Sequence, residues 1–138
     1  MSETFVDTSA LYAFLVADDD NHGAARAEAS SLRDLGIGLV TSSFVILETV
    51  SLLQARVGIA PVRAFYTDLL PLLRIVSIDE VLLKRAMQSL LAASRRRVSL
   101  TDWTSFAVME ELRVFQAFAF DGDFVGQGFE VVPASSPD

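Results

Sequence analysis

Short apolar runs that stop abruptly at a carboxylate or a hydroxyl constrain this chain more than any other feature. In Thr4-Phe-Val-Asp7-Thr-Ser-Ala-Leu11 the chemistry changes from buried strand to helix start within a single residue. Brief runs of this kind, bounded by turn and cap signals, suit strands covered on both faces, and such strands belong to parallel sheets. Read this way, Glu3–Val6, Ile37–Val40, Arg74–Ser77, Ala117–Phe120 and Glu130–Val132 are strands. Helical stretches separate them: Thr8–Val16, Ala24–Leu35, Phe44–Arg56 and Val62–Leu70, the last stopped by Pro71. A long amphipathic segment runs from Asp79 to the Arg95 region, and a further helix opens at Ser99-Leu-Thr-Asp102 and continues through Leu112. Alternation of strand and helix predicts a single α/β domain built on a parallel sheet, spanning residues 1–133, with a disordered tail at 134–138.

Size and composition agree with one domain. A chain of 138 residues, 51% of them hydrophobic, can bury one core and has no room for a second. Glu3, Asp7 and Asp18-Asp19-Asp20 interrupt the N-terminal region where a signal peptide would be basic and then apolar. No apolar run approaches the roughly 18 residues of a membrane span, so no membrane partner is expected. The absence of cysteine removes disulfides and thiolate metal sites, and a cytoplasmic location is the expectation. His22 is the one histidine, which leaves no imidazole cluster for zinc. Its neighbours Asp18 to Gly23 resemble the start of a calcium loop, but the position that requires a bidentate Glu is Ala29. A capping loop is the plainer reading.

The net charge of −7 and a pI near 4.6 argue against a protein that coats nucleic acid through its overall field. Arg95-Arg96-Arg97 is the local exception. A basic run at a helix end complements the helix dipole and needs no ligand, yet it can equally hold phosphates.

Four acids carry the chemical signal. Asp7 and Asp121 each follow an apolar strand, Asp102 completes an S-x-x-D capping box, and Glu48 sits on an otherwise apolar helical face among Phe44, Val45 and Leu52. Each has an ordinary explanation alone: a cap, an Asp-Gly turn, a capping box, a Glu reaching the edge of its stripe. Their placement is less ordinary. Strand ends in a parallel sheet share one edge, where ligands bind, so all four can face one cleft. Carboxylates so crowded repel, and divalent cations with oxygen ligands relieve the repulsion. Hard donors without sulfur or imidazole favour Mg2+ or Mn2+, as one or two ions. Such a site suits hydrolysis of a phosphodiester bond.

These motifs, in this order and at these separations, resemble the PIN-domain nucleases, and within them the VapC-like toxins of toxin–antitoxin pairs. The resemblance runs from Phe5-Val-Asp7 through Ile46-Leu-Glu48 and Ser99-Leu-Thr-Asp102 to Phe120-Asp121-Gly-Asp123-Phe124. It implies a three-layer α/β/α sandwich and Mg2+- or Mn2+-dependent cleavage of RNA. It also implies a homodimer and a small cognate antitoxin that inserts near the acidic pocket. Asp7, Glu48, Asp102 and Asp121 then correspond to the metal-binding acids and Asp123 to an accessory acid; on a ribonuclease reading, Arg95, Arg96 and Arg97 help hold the RNA backbone.

One departure is Ala119, where many members carry Thr or Ser two residues before the fourth acid; Ser9 or Ser105 are candidates for a replacement hydroxyl. The departure leaves an alternative, an inactive PIN domain that binds RNA or protein. Haloacid-dehalogenase-like phosphatases and receiver domains fit less well. The former want an Asp where Ser9 stands, and the latter a lysine near the site, whereas Lys84 lies in the amphipathic helix. Leu11, Tyr12, Phe14, Leu15, Leu52 and Leu53 exceed one thin stripe, and serve either the core or a dimer seam or antitoxin groove.

Overall fold

The computed structural model describes residues 2–134. Strands β1 (Glu3–Val6), β2 (Gly38–Ser42), β3 (Leu73–Val76), β4 (Gln116–Phe118) and β5 (Glu130–Val132) form one parallel sheet in the order β3-β2-β1-β4-β5. Phe5 is flanked by Val40 of β2 and Ala117 of β4, and all three are fully buried. The chain builds outward from β1 through β2 and β3, then crosses to the other side of β1 for β4 and β5. A crevice opens at the carboxyl ends of β1 and β4, where the winding reverses.

Successive strand residues feed opposite layers. Val6, Leu39 and Phe118 share a cavity with Leu11 and Phe14 of α1 (Thr8–Leu15) and Ala29 of α2 (His22–Asp34). On the other face Phe5 lies 6.4 Å from Phe124, which meets Phe106 of α6 (Leu100–Leu112) edge-on at 5.1 Å. Phe106 also stacks on Phe129 at 5.9 Å. These two packings make the α/β/α sandwich. α3 (Ser43–Arg56) and α5 (Glu80–Ala93) complete the helical layers, and no described helix is long and apolar enough to cross a membrane.

Side-chain caps fix the helix starts. Asp7, Ser42, Asp79 and Ser99 accept from the backbone N–H of Ser9, Val45, Leu82 and Asp102, which satisfies donors that a first turn leaves free. α2 begins at His22, two residues earlier than the sequence suggested, and without a side-chain cap from Asn21. Instead Asp19 accepts from the Asn21 N–H at 2.9 Å, and His22 Nδ1 lies 2.8 Å from the Ala13 carbonyl, tying α1 to α2.

β2 and β3 shift by one or two residues, to Gly38–Ser42 and Leu73–Val76, and other boundaries differ for physical reasons. α4 (Ile59–Ala64) starts before Val62, because Pro61 falls in the first turn, where its missing N–H costs nothing. A π turn over Phe65–Leu69 and a 3₁₀ turn over Leu70–Leu72 follow, so Pro71 sits within a turn of helix. β4 ends at Phe118 although the apolar run continues, because the Phe120 N–H leaves the sheet for the Ser9 hydroxyl at 2.9 Å. The Asp-Gly turn after it leads into a short helix, α7 (Asp123–Gly126).

Leu11 and Leu53 are buried, while Tyr12, Phe14 and Leu15 pack against the core from its edge, so most of the apolar surplus serves the interior. The tail expected to be disordered lies, from residue 135 on, outside the described residues.

Candidate active site

The crevice at β1 and β4 is where the acids meet. Asp7 leaves β1 with its N–H on the Phe118 carbonyl of β4 at 3.0 Å. Its Oδ2 accepts from the Ser9 N–H at 3.1 Å and from the Ser9 hydroxyl at 2.6 Å. Ser9 Oγ also accepts the Phe120 N–H, so one hydroxyl staples Asp7 to the residue before Asp121. Asp121 Oδ1 in turn accepts the Asp123 N–H at 3.0 Å. Asp102 approaches on α6 through the expected capping box: Ser99 N–H donates to its Oδ2 and its own N–H donates to Ser99 Oγ, both at 3.1 Å.

One carboxylate oxygen from each of Asp7, Asp102 and Asp121 lies within 4.8 Å of the others. Glu48 lines the same cavity, of about 500 Å³, but stands outside the trio. Its helix is held by buried hydroxyls: Thr49 Oγ1 donates to the Val45 carbonyl at 2.7 Å and lies 3.2 Å from Thr8 Oγ1, which itself reaches the Val45 carbonyl at 3.3 Å. Asp123 also stands outside the trio. With Arg95, Arg96 and Arg97 it lines a neighbouring cavity, and Asp121 borders both.

Asp7 is 3% exposed, and burial pushes its carboxyl up to about 8. The charge of Asp121 adds to the rise, the two Ser9 hydrogen bonds oppose it, and Asp102 contributes last. Burial likewise raises Asp102 to about 6 against the Ser99 hydrogen bonds, with Asp121 and Glu48 adding repulsion. Both shifts express one fact: the site holds more negative charge than its surroundings solvate. A divalent cation fits that need. The donors are carboxylate oxygens, close enough to share an ion, and they suit a hard metal.

The two hydroxyl candidates separate clearly. Ser105 Oγ donates to the Thr101 carbonyl at 3.1 Å and is fully buried, whereas Ser9 touches Asp7 directly. Tyr12, Asp19, Asn21 and Arg56 also line the acid cavity; the sequence reading gave Tyr12 to the core or a seam and Asp19 and Asn21 to a capping loop, and passed over Arg56. Arg56 had a legible signal, since 48, 52 and 56 recur every fourth residue on one helical face.

A parallel sheet that reverses at β1, with an acid trio at the reversal, is the architecture of a PIN domain, and the PIN domain matches residues 4–129: the chain belongs to that family. It is similar to the "23S rRNA-specific endonuclease VapC20" of Mycobacterium tuberculosis, at 38% identity over 131 residues, covering 94% of this chain and 98% of that one. The crystal structure of that organism's VapC20, described as a Sarcin-Ricin loop cleaving toxin, superimposes with a TM-score of 0.82 at 36% identity. That match covers 92% of this chain and 96% of the other. FitAcB from Neisseria gonorrhoeae shares the fold at a TM-score of 0.66 and 15% identity, over 93% and 95% of the two chains.

Proposed function

We propose that this chain is a metal-dependent endoribonuclease and the toxin of a toxin–antitoxin pair. The observation that carries the reading is the convergence of Asp7, Asp102 and Asp121 at the sheet's reversal point, with Asp7 buried. These three would hold Mg2+ or Mn2+, one or two ions, with Glu48 and Asp123 as accessory acids. When bound, the ion supplies Lewis acidity toward a phosphoryl oxygen and an acidified water. The chain's own residues supply the rest. Ser9 orients Asp7, Ser99 orients Asp102, and the Ser9 hydroxyl provides an O–H beside the acids that Ala119 lacks. Arg95, Arg96 and Arg97 offset phosphate charge along a bound strand.

The substrate is RNA. The relative at 38% identity is described as acting on 23S rRNA, which makes ribosomal RNA the first substrate to try. Incubation of ribosomes with the purified chain should give discrete fragments that require the cation and disappear with EDTA or with Asp102→Asn. Metal binding without cleavage of any RNA would favour the inactive, binding-only PIN domain.

The toxin reading brings two partners, a cognate antitoxin and a second copy. Exposed Leu47, Val57, Ile59 and Tyr66 offer apolar surface for association. A solution mass of twice 15.0 kDa supports the homodimer, and a monomer at micromolar concentration counts against it.

A further inference from the structure

An acid cleft attracts cations and repels the backbone of its own substrate, so the cleft needs positive charge where the strand enters. Among the residues lining the acid cavity Arg56 is the cationic one. It stands in the last turn of α3, exposed, two helical turns beyond Glu48. Acids surround this cavity, yet the salt bridges among the described residues join other pairs: Arg33 to Asp34, Arg74 to Glu3, Lys84 to Glu80 and Arg85 to Glu110. Arg56 instead rests its guanidinium over the Tyr12 ring, with Cζ 5.6 Å from the centroid. Tyr12 is half-buried on α1 and lines the same cavity.

A guanidinium held by a ring rather than by a carboxylate keeps its donors free for a phosphate. A tyrosine ring and a guanidinium plane are also the surfaces on which unpaired RNA bases stack. We infer that Tyr12 and Arg56 form a nucleotide subsite within the acid cavity, Arg56 taking a backbone phosphate and the Tyr12–Arg56 pair supporting the adjacent base. Arg95, Arg96 and Arg97 occupy the adjoining cavity, and Asp121 borders both. A strand that uses both basic groups therefore passes Asp121, and the acid trio works on the backbone between two points of grip. The inference rests on the ribonuclease reading and adds to it the path of the strand.

The test measures affinity of a fluorescent RNA hairpin by anisotropy, with the full chain carrying Asp102→Asn to stop cleavage, across a salt series in Mg2+. Arg56→Ala added to that parent should weaken binding about tenfold, the value of one charge-assisted contact. It should also lower the salt slope by roughly 0.7, as one lost phosphate contact on a single strand requires. Arg56→Lys should restore the slope but only part of the affinity, because a point charge cannot stack. Tyr12→Phe should bind like the parent and Tyr12→Ala should weaken it, with melting temperatures reported beside each to separate loss of contact from loss of fold. An Arg56→Ala protein that keeps the parent's affinity and slope overturns the subsite while the ribonuclease reading stands. If the parent fails to bind RNA and the unmutated chain also leaves RNA intact, the ribonuclease reading falls first and the subsite with it.

Discussion

Asp7, the cap of α1, and Glu48, on α3, border the same cavity, yet their surroundings have little in common. Asp7 is buried, receives two hydrogen bonds from Ser9, and is fixed through that serine to the end of β4. Glu48 is half-buried, and among the described residues its carboxylate accepts no hydrogen bond. The first is held by its surroundings, and burial raises its proton affinity. The second has no such hydrogen-bonded restraint among the described residues. The contrast separates a part of the site that is built in advance from a part completed by what binds.

Substituting the two acids tests that contrast most severely. Asp7→Asn should reduce cleavage to the level seen in EDTA, while Glu48→Gln should leave measurable cleavage at raised metal concentration. Equal loss from both would erase the distinction. Next in size is Ser9→Ala, which removes the staple and leaves every acid of the cleft in place. Loss of such an orienting partner typically costs about 10–100-fold in metal affinity or activity, so a metal titration of cleavage should shift by that order. An unchanged titration would show that Asp7 is positioned by its strand alone.

The smallest effect concerns stability. A carboxyl that holds its proton more tightly folded than unfolded stabilises the fold below its unfolded pKa, and the contribution is lost as pH rises through the folded one. For Asp7 the window runs from the ordinary value of 3.8 to about 8, and for Asp102 from 3.8 to about 6. In EDTA the melting temperature should therefore fall as pH is raised from 5 to about 8, and the fall should be shallower in Asp7→Asn. Saturating Mg2+ should flatten the unmutated curve by favouring the charged acids. A melting temperature in EDTA that rises over this range would contradict the burial of an unrelieved Asp7.

The sequence carried the sheet through local signals that nothing in the tertiary structure opposed. Glu3–Val6 and Glu130–Val132 fold at the limits their apolar character suggests, and Ser99-Leu-Thr-Asp102 forms the capping box its spacing describes. Asp7 and Asp121 were legible because strand ends in a parallel sheet share one edge, and Asp102 because its capping box marks the start of a helix in the strand–helix alternation. The exact boundary of β4 was hidden, since it depends on the Phe120 N–H choosing the Ser9 hydroxyl across 111 residues of chain. The helix over Asp123–Gly126 was masked by an Asp-Gly pair that reads as a turn in isolation. Side-chain partnerships such as Arg56 on Tyr12 arise from packing between helices, and spacing along one helix reveals only half of the pair.

The central place of β1 has a consequence in time. Asp7 directly follows β1, but its neighbour β4 and the acid after it emerge more than a hundred residues later, which at ordinary elongation rates is roughly 5–20 s. Until that strand docks beside β1, Asp7, Asp102 and Asp121 are not brought together. The acid cluster therefore forms only after β4 has been made, more than a hundred residues behind Asp7.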